Sequence, residues 1–203
     1  MRPFIETFAQ DRADLSRYYN VRNAQDRRER FRRLYQDWEA RLASMNFDAM
    51  NEDGQVDYVL FRNFLDHALK QLDFEGRQEA DSAAYVPFAT TIIGLEESRR
   101  NGHPVDSQAS AAALSQLQHQ IEALEKEIAK PPAKTDFTAI QKRRIDANRA
   151  ADEVELLKQT LHRWYVFYDN YDRCSPGGTA NPIAARIPRW TSMSDFFGRR
   201  LPV

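Results

Sequence analysis

The segment Asn51–Asp57 has the residue types of a calcium loop, with amide and carboxylate side chains on both sides of Gly54. When Gly54 is aligned with the central glycine of an EF-hand loop, the first and last ligand positions fall on Ala49 and Leu60. The loop would therefore lack its first ligand and its terminal bidentate carboxylate. We interpret this segment as a polar turn that caps the third helix.

The four histidines do not form a catalytic or metal-binding motif. None belongs to a His-Glu-x-x-His helix, and no two are four residues apart. His67 and His162 fall on helices, where an ordinary surface or partly buried imidazole is expected. The single cysteine, Cys174, excludes an intramolecular disulfide. The chain also lacks a serine nucleophile elbow and a Gly-rich phosphate cradle, so we predict no catalytic, cofactor-binding or metal-binding residue.

Two clusters could bind a ligand, and both have a plainer interpretation. The arginine-rich run 27–33 raises a phosphate-binding hypothesis, but Asp26, Glu29 and Asp37 are interleaved with it, as on a solvated helix face. The aromatic segment Trp164–Tyr171 could line a pocket or stack on bases. It has no basic residues between its rings, which favours core packing or an aromatic wall against a missing domain. With a net charge of −1, no nucleic-acid partner is predicted.

These residues must be positioned by helices, because apolar side chains recur at intervals of three and four along most of the chain. No segment alternates as a strand would. We predict an all-α antiparallel bundle of about six helices in which the last two form a long hairpin. The predicted helices cover about 4–19, 24–45, a third beginning after Gly54, 89–100, 107–129, and a sixth that begins after Asp136.

The third helix has an unusually wide apolar stripe, which suggests contact on more than one side. Its main line is predicted to be Val56, Val59, Leu60, Phe64, Ala68 and Leu72, and Phe61, Leu65 and Leu69 widen it. Further along, Asn101–Gly102 is a helix stop, and Asp106 or Ser107 can cap the helix that follows.

The composition changes after Asp172. The residues from Arg173 onward contain five arginines and one acid; removing them from the totals of 29 basic and 30 acidic residues leaves 24 and 29, a net charge of −5. They also contain three of the seven glycines and four of the nine prolines, which interrupt helices. We predict a helical domain over 1–172 and an irregular, disordered tail over 173–203.

No signal peptide or membrane span is predicted, because charged residues interrupt every apolar run. As written, the chain is expected to be soluble and to remain in the compartment where it is made, without a membrane partner.

Three segments in order resemble the bacterial domain-of-unknown-function 885 family: Asp57–Leu65, Val86–Glu97 and Trp164–Asp172. The resemblance runs from about residue 25 to Asp172. It implies the N-terminal part of a much longer all-helical protein, similar to zinc-dependent peptidases or related hydrolases and often exported. The zinc motif of the family, of the type His-Glu-x-x-x-Gly-His, lies far towards its C-terminus and has no counterpart here.

The family pattern after the Tyr-Asp pair is Pro-Leu-Phe-Thr-Trp-Trp, whereas this chain has Arg173–Gly178. One set of codons explains both. CCG CTG TTC ACC TGG TGG encodes the family version, and loss of one C gives CGC TGT TCA CCT GGT GG, which encodes Arg-Cys-Ser-Pro-Gly-Gly. Similarly, Met193–Gly198 can be read one base earlier as Tyr-Val-Gly-Phe-Leu-Arg. We therefore expect residues 173–203 to be an out-of-frame translation.

The sequence thus favours a truncated, non-catalytic fragment of a zinc-hydrolase-like protein. The peptide-like substrate and the zinc ion belong to the full-length relatives alone. Self-association through exposed apolar surface is expected. The alternative is a stand-alone helical interaction module that binds a partner through the hairpin of helices five and six.

Overall fold

A computed structural model of the chain describes residues 1–128 and 137–172. Over these residues it has six α-helices and one 3₁₀ turn, Ala83–Tyr85, and no strand. The all-α prediction is confirmed, whereas the tail from Arg173 and the predicted cap Asp136 lie outside the described residues. No helix in the described ranges is long and apolar enough to cross a membrane. The helices are α1 (Arg2–Tyr18), α2 (Gln25–Ala43), α3 (Glu52–Ser82), α4 (Ala89–Arg100), α5 (Ser107–Ile128) and α6 (Phe137–Asp172).

The chain divides into two compact units, Met1–Ala80 and Asp81–Val203. The first unit contains α1, α2 and most of α3, and its core is rich in aromatic side chains. The Phe8 ring lies edge-on to Phe61 at 4.9 Å and to Trp38 at 5.6 Å between centroids. This T-shaped arrangement is favoured because the positive edge of one ring meets the negative face of another. The buried residues of this core are Phe8, Phe31, Tyr35, Trp38, Leu42, Phe61, Leu65 and Leu72.

On α3 the order of the predicted apolar lines is reversed in the first half of the helix, whereas Leu72 of the main line is buried at 5% exposure. Phe61 and Leu65, which were predicted to widen the stripe, are 5% and 0% exposed. Val56 and Leu60, which were predicted to lead it, are 54% and 62% exposed. Both lines follow the helical period equally well, so only the position of the neighbouring helices selects which line is buried.

The second unit has its own core, to which the 3₁₀ turn region, α4, α5 and α6 all contribute. The α5 side chains in this core recur at intervals of three and four, and Leu117 and Ile121 are 0% and 8% exposed. The buried residues of this core are Val86, Phe88, Ile92, Leu114, Leu117, Ile121, Ala150, Val154, Leu157, Leu161 and Trp164.

The helix boundaries in this unit confirm the local signals. Gly102 has a φ of +71°, the left-handed conformation that ends a helix and that glycine adopts without steric cost. The backbone N–H of His103 donates to the carbonyl oxygen of Ser98 at 3.0 Å, which closes the last turn of α4. At the start of α5, Asp106 Oδ1 accepts hydrogen bonds from the backbone N–H groups of Gln108 and Ala109, at 2.8 and 2.9 Å.

Candidate functional site

The segment that resembles a calcium loop forms the beginning of α3. Asn51 Oδ1 accepts a hydrogen bond from the backbone N–H of Gly54 at 3.1 Å, and the helix begins at Glu52. A Cβ atom at Gly54 would lie 2.8 Å from that same Oδ1 atom, so glycine allows the capping side chain to approach. Because Asp53 and Asp57 lie on helical backbone, they cannot wrap around an ion as an EF-hand loop does. The interpretation as a helix cap is confirmed.

Replacing Asn51 with Ala is expected to lower the free energy of unfolding by about 1 kcal/mol, because a backbone N–H of the first turn of α3 loses its acceptor. Urea unfolding followed by circular dichroism measures the loss, and Asn51→Asp, which keeps an acceptor oxygen, is the matched control. Millimolar calcium is expected to leave both curves unchanged. A calcium-dependent stabilisation abolished by Asn51→Ala would contradict the assignment of this residue as a cap.

All four histidine side chains are exposed. The Nδ1 atom of His119 lies 4.0 Å from Glu122 Oε2, an ordinary surface pair within one helix. In the described ranges, no three or more His, Cys, Asp or Glu residues are grouped in a way that could hold a metal ion.

The arginine-rich run 27–33 of α2 has carboxylate partners on α3. Arg28 Nη1 forms an ion pair with Glu79 Oε2, and Arg32 Nη2 lies 2.7 Å from Asp73 Oδ1. A phosphate group would have to displace these carboxylates. The pairing therefore favours the interpretation of the run as an ordinary charged helix face, here facing a second helix.

The second unit contains a buried ion pair that the sequence analysis did not predict. Glu96 of α4 is fully buried and accepts two hydrogen bonds from Arg99, one from Nε and one from Nη2, both at 2.7 Å. The hydrogen bond to Glu96 holds the pKa of the Arg99 guanidinium above its usual value. The Arg99 guanidinium also lies 4.8 Å from the centroid of the Phe167 ring, so α4 and α6 are joined by a cation–π contact.

A sequence signal for this pair was present. Phe88, Ile92 and Glu96 are spaced four residues apart, so the acid continues an apolar line of the helix. An acid at such a position, followed three residues later by an arginine, indicates a buried pair within one helix.

The aromatic segment of α6 has one side in the core and one side at the surface. Trp164 is 1% exposed, whereas Phe167 is 50% exposed. Tyr168 lies between them, with its ring centroid 5.3 Å from Trp164 and 5.0 Å from Phe167. Burial raises the pKa of the Tyr168 phenol, and the nearby Arg99 acts in the opposite direction. Trp164 follows the core-packing interpretation, whereas the Phe167 ring is half-exposed.

The three segments of the family resemblance are distributed over both units. Asp57–Leu65 lies on α3 in the first unit, whereas Val86–Glu97 and Trp164–Asp172 belong to the second. These last two are far apart in the chain, yet Phe88 and Ile92 share one core with Trp164.

No family model, no curated protein and no solved structure matches the chain. The resemblance therefore depends on the residues of its three segments.

A groove of about 590 Å³ with charged walls lies between α1 and α2. Three carboxylates and two guanidinium groups line it, so it favours neither an anion nor a cation. One of the carboxylates, Asp14, forms a surface pair with Arg17 at 2.6 Å. The amino-acid sequence does not predict this groove, because the groove depends on the packing of two helices. Its lining residues are Asp11, Asp14, Leu15, Tyr18, Tyr19, Arg30, Arg33, Leu34 and Asp37.

Proposed function

We propose that this chain is a non-catalytic N-terminal fragment of a protein that resembles a zinc-dependent peptidase or related hydrolase. The observation that carries the proposal is the meeting of two family-like segments in one core. Val86–Glu97 supplies Phe88 and Ile92, and the segment from Trp164 supplies the indole that packs in the same cluster. Segments that build one structural unit support a common origin better than scattered matches do.

The residues present do not fit a catalytic zinc ion. The zinc motif of the family is not found in the sequence, and the described residues contain no group of ligands arranged for a metal. No catalytic step is therefore assigned to this chain. Its role would be that of a helical scaffold, with the half-exposed Val166 and Phe167 at the face where further residues of a longer protein would pack.

The proposed loss of one base after the Asp172 codon supports the same conclusion. With the codons written above, a frame read one base earlier would encode family-like residues at Arg173–Gly178 and again at Met193–Gly198. Sequencing of the locus tests the idea directly, and a locus without a family-like continuation in the neighbouring frame would overturn it.

Restoring the single base is expected to yield a longer protein that binds zinc and hydrolyses peptide or ester substrates. The 203-residue chain is expected to do neither. Metal content by mass spectrometry and hydrolysis of a panel of chromogenic peptides and esters provide the comparison. Zinc-dependent hydrolysis by the 203-residue chain itself, removed by chelation and restored by zinc, would contradict the proposal.

A stand-alone interaction module is the second candidate, and apolar exposure on α6 favours it. Ile145 is 50% exposed and Ile140 is 38% exposed, on the helix that was predicted to form half of the binding hairpin. A monodisperse chain that melts cooperatively would support this candidate. Aggregation or loss of fixed tertiary packing would support the fragment instead.

A further inference from the structure

The outer face of α3 carries an apolar patch that neither α1 nor α2 covers. Val56, Val59 and Leu60 are 54%, 46% and 62% exposed, and Phe74 further along the same helix is 45% exposed. These residues lie opposite the buried line through Phe61. Isolated exposed apolar residues are ordinary, but three within two turns of one helix form a surface that can bind another helix.

The charges on this outer face change sign along the helix. Glu52 and Asp53 lie at its beginning, and the exposed cations Lys70 and Arg77 lie in its second half. Lys70 contacts Asp66 at 2.7 Å, but both side chains are largely exposed, so this surface pair is weak and can rearrange. In an antiparallel pair of α3 helices, the acidic beginning of one copy would lie beside Lys70 and Arg77 of the other, which favours that orientation.

The spacing on this face is that of a helix–helix seam. Starting at Asp53, exposed positions recur at alternating intervals of three and four, which keeps them on one line along a paired helix. The residues of this outer seam are Asp53, Val56, Leu60, Asn63, His67, Lys70, Phe74 and Arg77.

We propose that two copies of this chain associate through antiparallel α3 helices along the outer seam. In one antiparallel register, each residue of the outer seam faces a residue of complementary chemistry on the other helix. Asp53 then faces Arg77, Val56 faces Phe74, Leu60 packs on the aliphatic stem of Lys70, and Asn63 can hydrogen-bond to His67. Because an antiparallel pair has two-fold symmetry, each of these contacts occurs twice in the dimer.

A parallel pair would be disfavoured, because it places Asp53 on Asp53 and Lys70 on Lys70. The seam contains few apolar contacts. A pair of helices seven turns long buries about 1,200 Å², which is at the low end of the areas buried in specific interfaces. We therefore expect a reversible dimer with a dissociation constant on the order of micromolar. The association does not depend on whether the chain is a fragment.

Sedimentation velocity of the whole chain between about 1 and 200 µM tests the proposal. We expect a monomer–dimer equilibrium, and Leu60→Glu should weaken it at least about tenfold. The matched control is Tyr18→Glu, which replaces a residue that is 50% exposed on α1 and should leave the equilibrium unchanged. A chain that stays monomeric, or a dimer equally sensitive to both substitutions, would overturn the proposal.

A charge exchange separates this register from non-specific hydrophobic association. Asp53→Arg alone and Arg77→Asp alone should each weaken the dimer, and the double variant should restore it. Restored dimer affinity in the double variant cannot arise from an unrelated partner protein or from non-specific hydrophobic association. If the two single effects simply add in the double variant, Asp53 does not face Arg77 and the register is wrong. Circular dichroism confirms that each variant is folded.

Disulfide cross-linking checks the direction of the helices. In a Cys174→Ser background, a mixture of Val56→Cys and Phe74→Cys chains should form the mixed disulfide dimer on mild oxidation. Val56→Cys alone should not, because its two thiols would be about 27 Å apart along the antiparallel seam at 1.5 Å per residue. Efficient cross-linking of Val56→Cys with itself would indicate a parallel pair and would overturn the proposal.

Discussion

Replacing Arg99 with Met is expected to lower the free energy of unfolding of the second unit by about 3–5 kcal/mol. The Glu96 carboxylate is fully buried and accepts two hydrogen bonds from this guanidinium. Removing the cation takes two charge-assisted hydrogen bonds from a carboxylate in a medium of low dielectric constant, where water cannot replace them. The cation–π contact with Phe167 is lost at the same time. Urea unfolding followed by circular dichroism measures the change.

Two further variants separate a buried charge from a general loss of packing. Glu96→Leu combined with Arg99→Met removes both charges and should recover most of the loss, because a buried ion pair contributes little relative to apolar side chains of similar size. Lys158→Met, which breaks a 3.5 Å surface pair with Glu155, should change stability by less than about 1 kcal/mol. A double variant as unstable as Arg99→Met would show that the buried charge is not the cause.

Truncation of Trp164 to Ala is expected to cost about 3–5 kcal/mol of unfolding free energy. The indole is 1% exposed and contributes to the core shared by α4, α5 and α6. Its removal leaves a cavity and breaks the edge-on contact with Tyr168, whose ring centroid is 5.3 Å away. The same urea experiment measures the loss.

The control for this substitution lies two residues further along α6. Val166 is 39% exposed, so Val166→Ala should change stability by less than about 0.5 kcal/mol. If the two substitutions had equal effects, Trp164 would not be a core residue, and the shared core that supports the proposed function would lose its central side chain.

Helix positions could be predicted from the sequence because the signals that define them are local. Asp106 caps α5 and Gly102 ends α4 through atoms only a few residues away, and both assignments are confirmed. Asn51 likewise caps α3, which removes the calcium-loop interpretation. A capping side chain and its backbone partner meet whenever the helix forms, whatever lies around it.

The groove between α1 and α2 could not be predicted, and neither could the buried line of α3. Val56 and Phe61 both follow a helical period, but Phe61 alone meets the rings of Phe8 and Trp38. The buried pair of Glu96 and Arg99 was missed for a related reason. Glu96 follows Ile92 along one line of α4, but a charged side chain at that position is also compatible with a surface helix, and the packing of α4 decides that it is buried.

The sequence by itself determined the helices, their caps and the change of composition after Asp172, since these depend on residue types and short-range spacing. The tertiary structure decided which face of each helix is buried and therefore which polar groups acquire partners. It also left the outer face of α3 exposed. Burial depends on which helices meet, and those contacts join residues that are far apart in the chain.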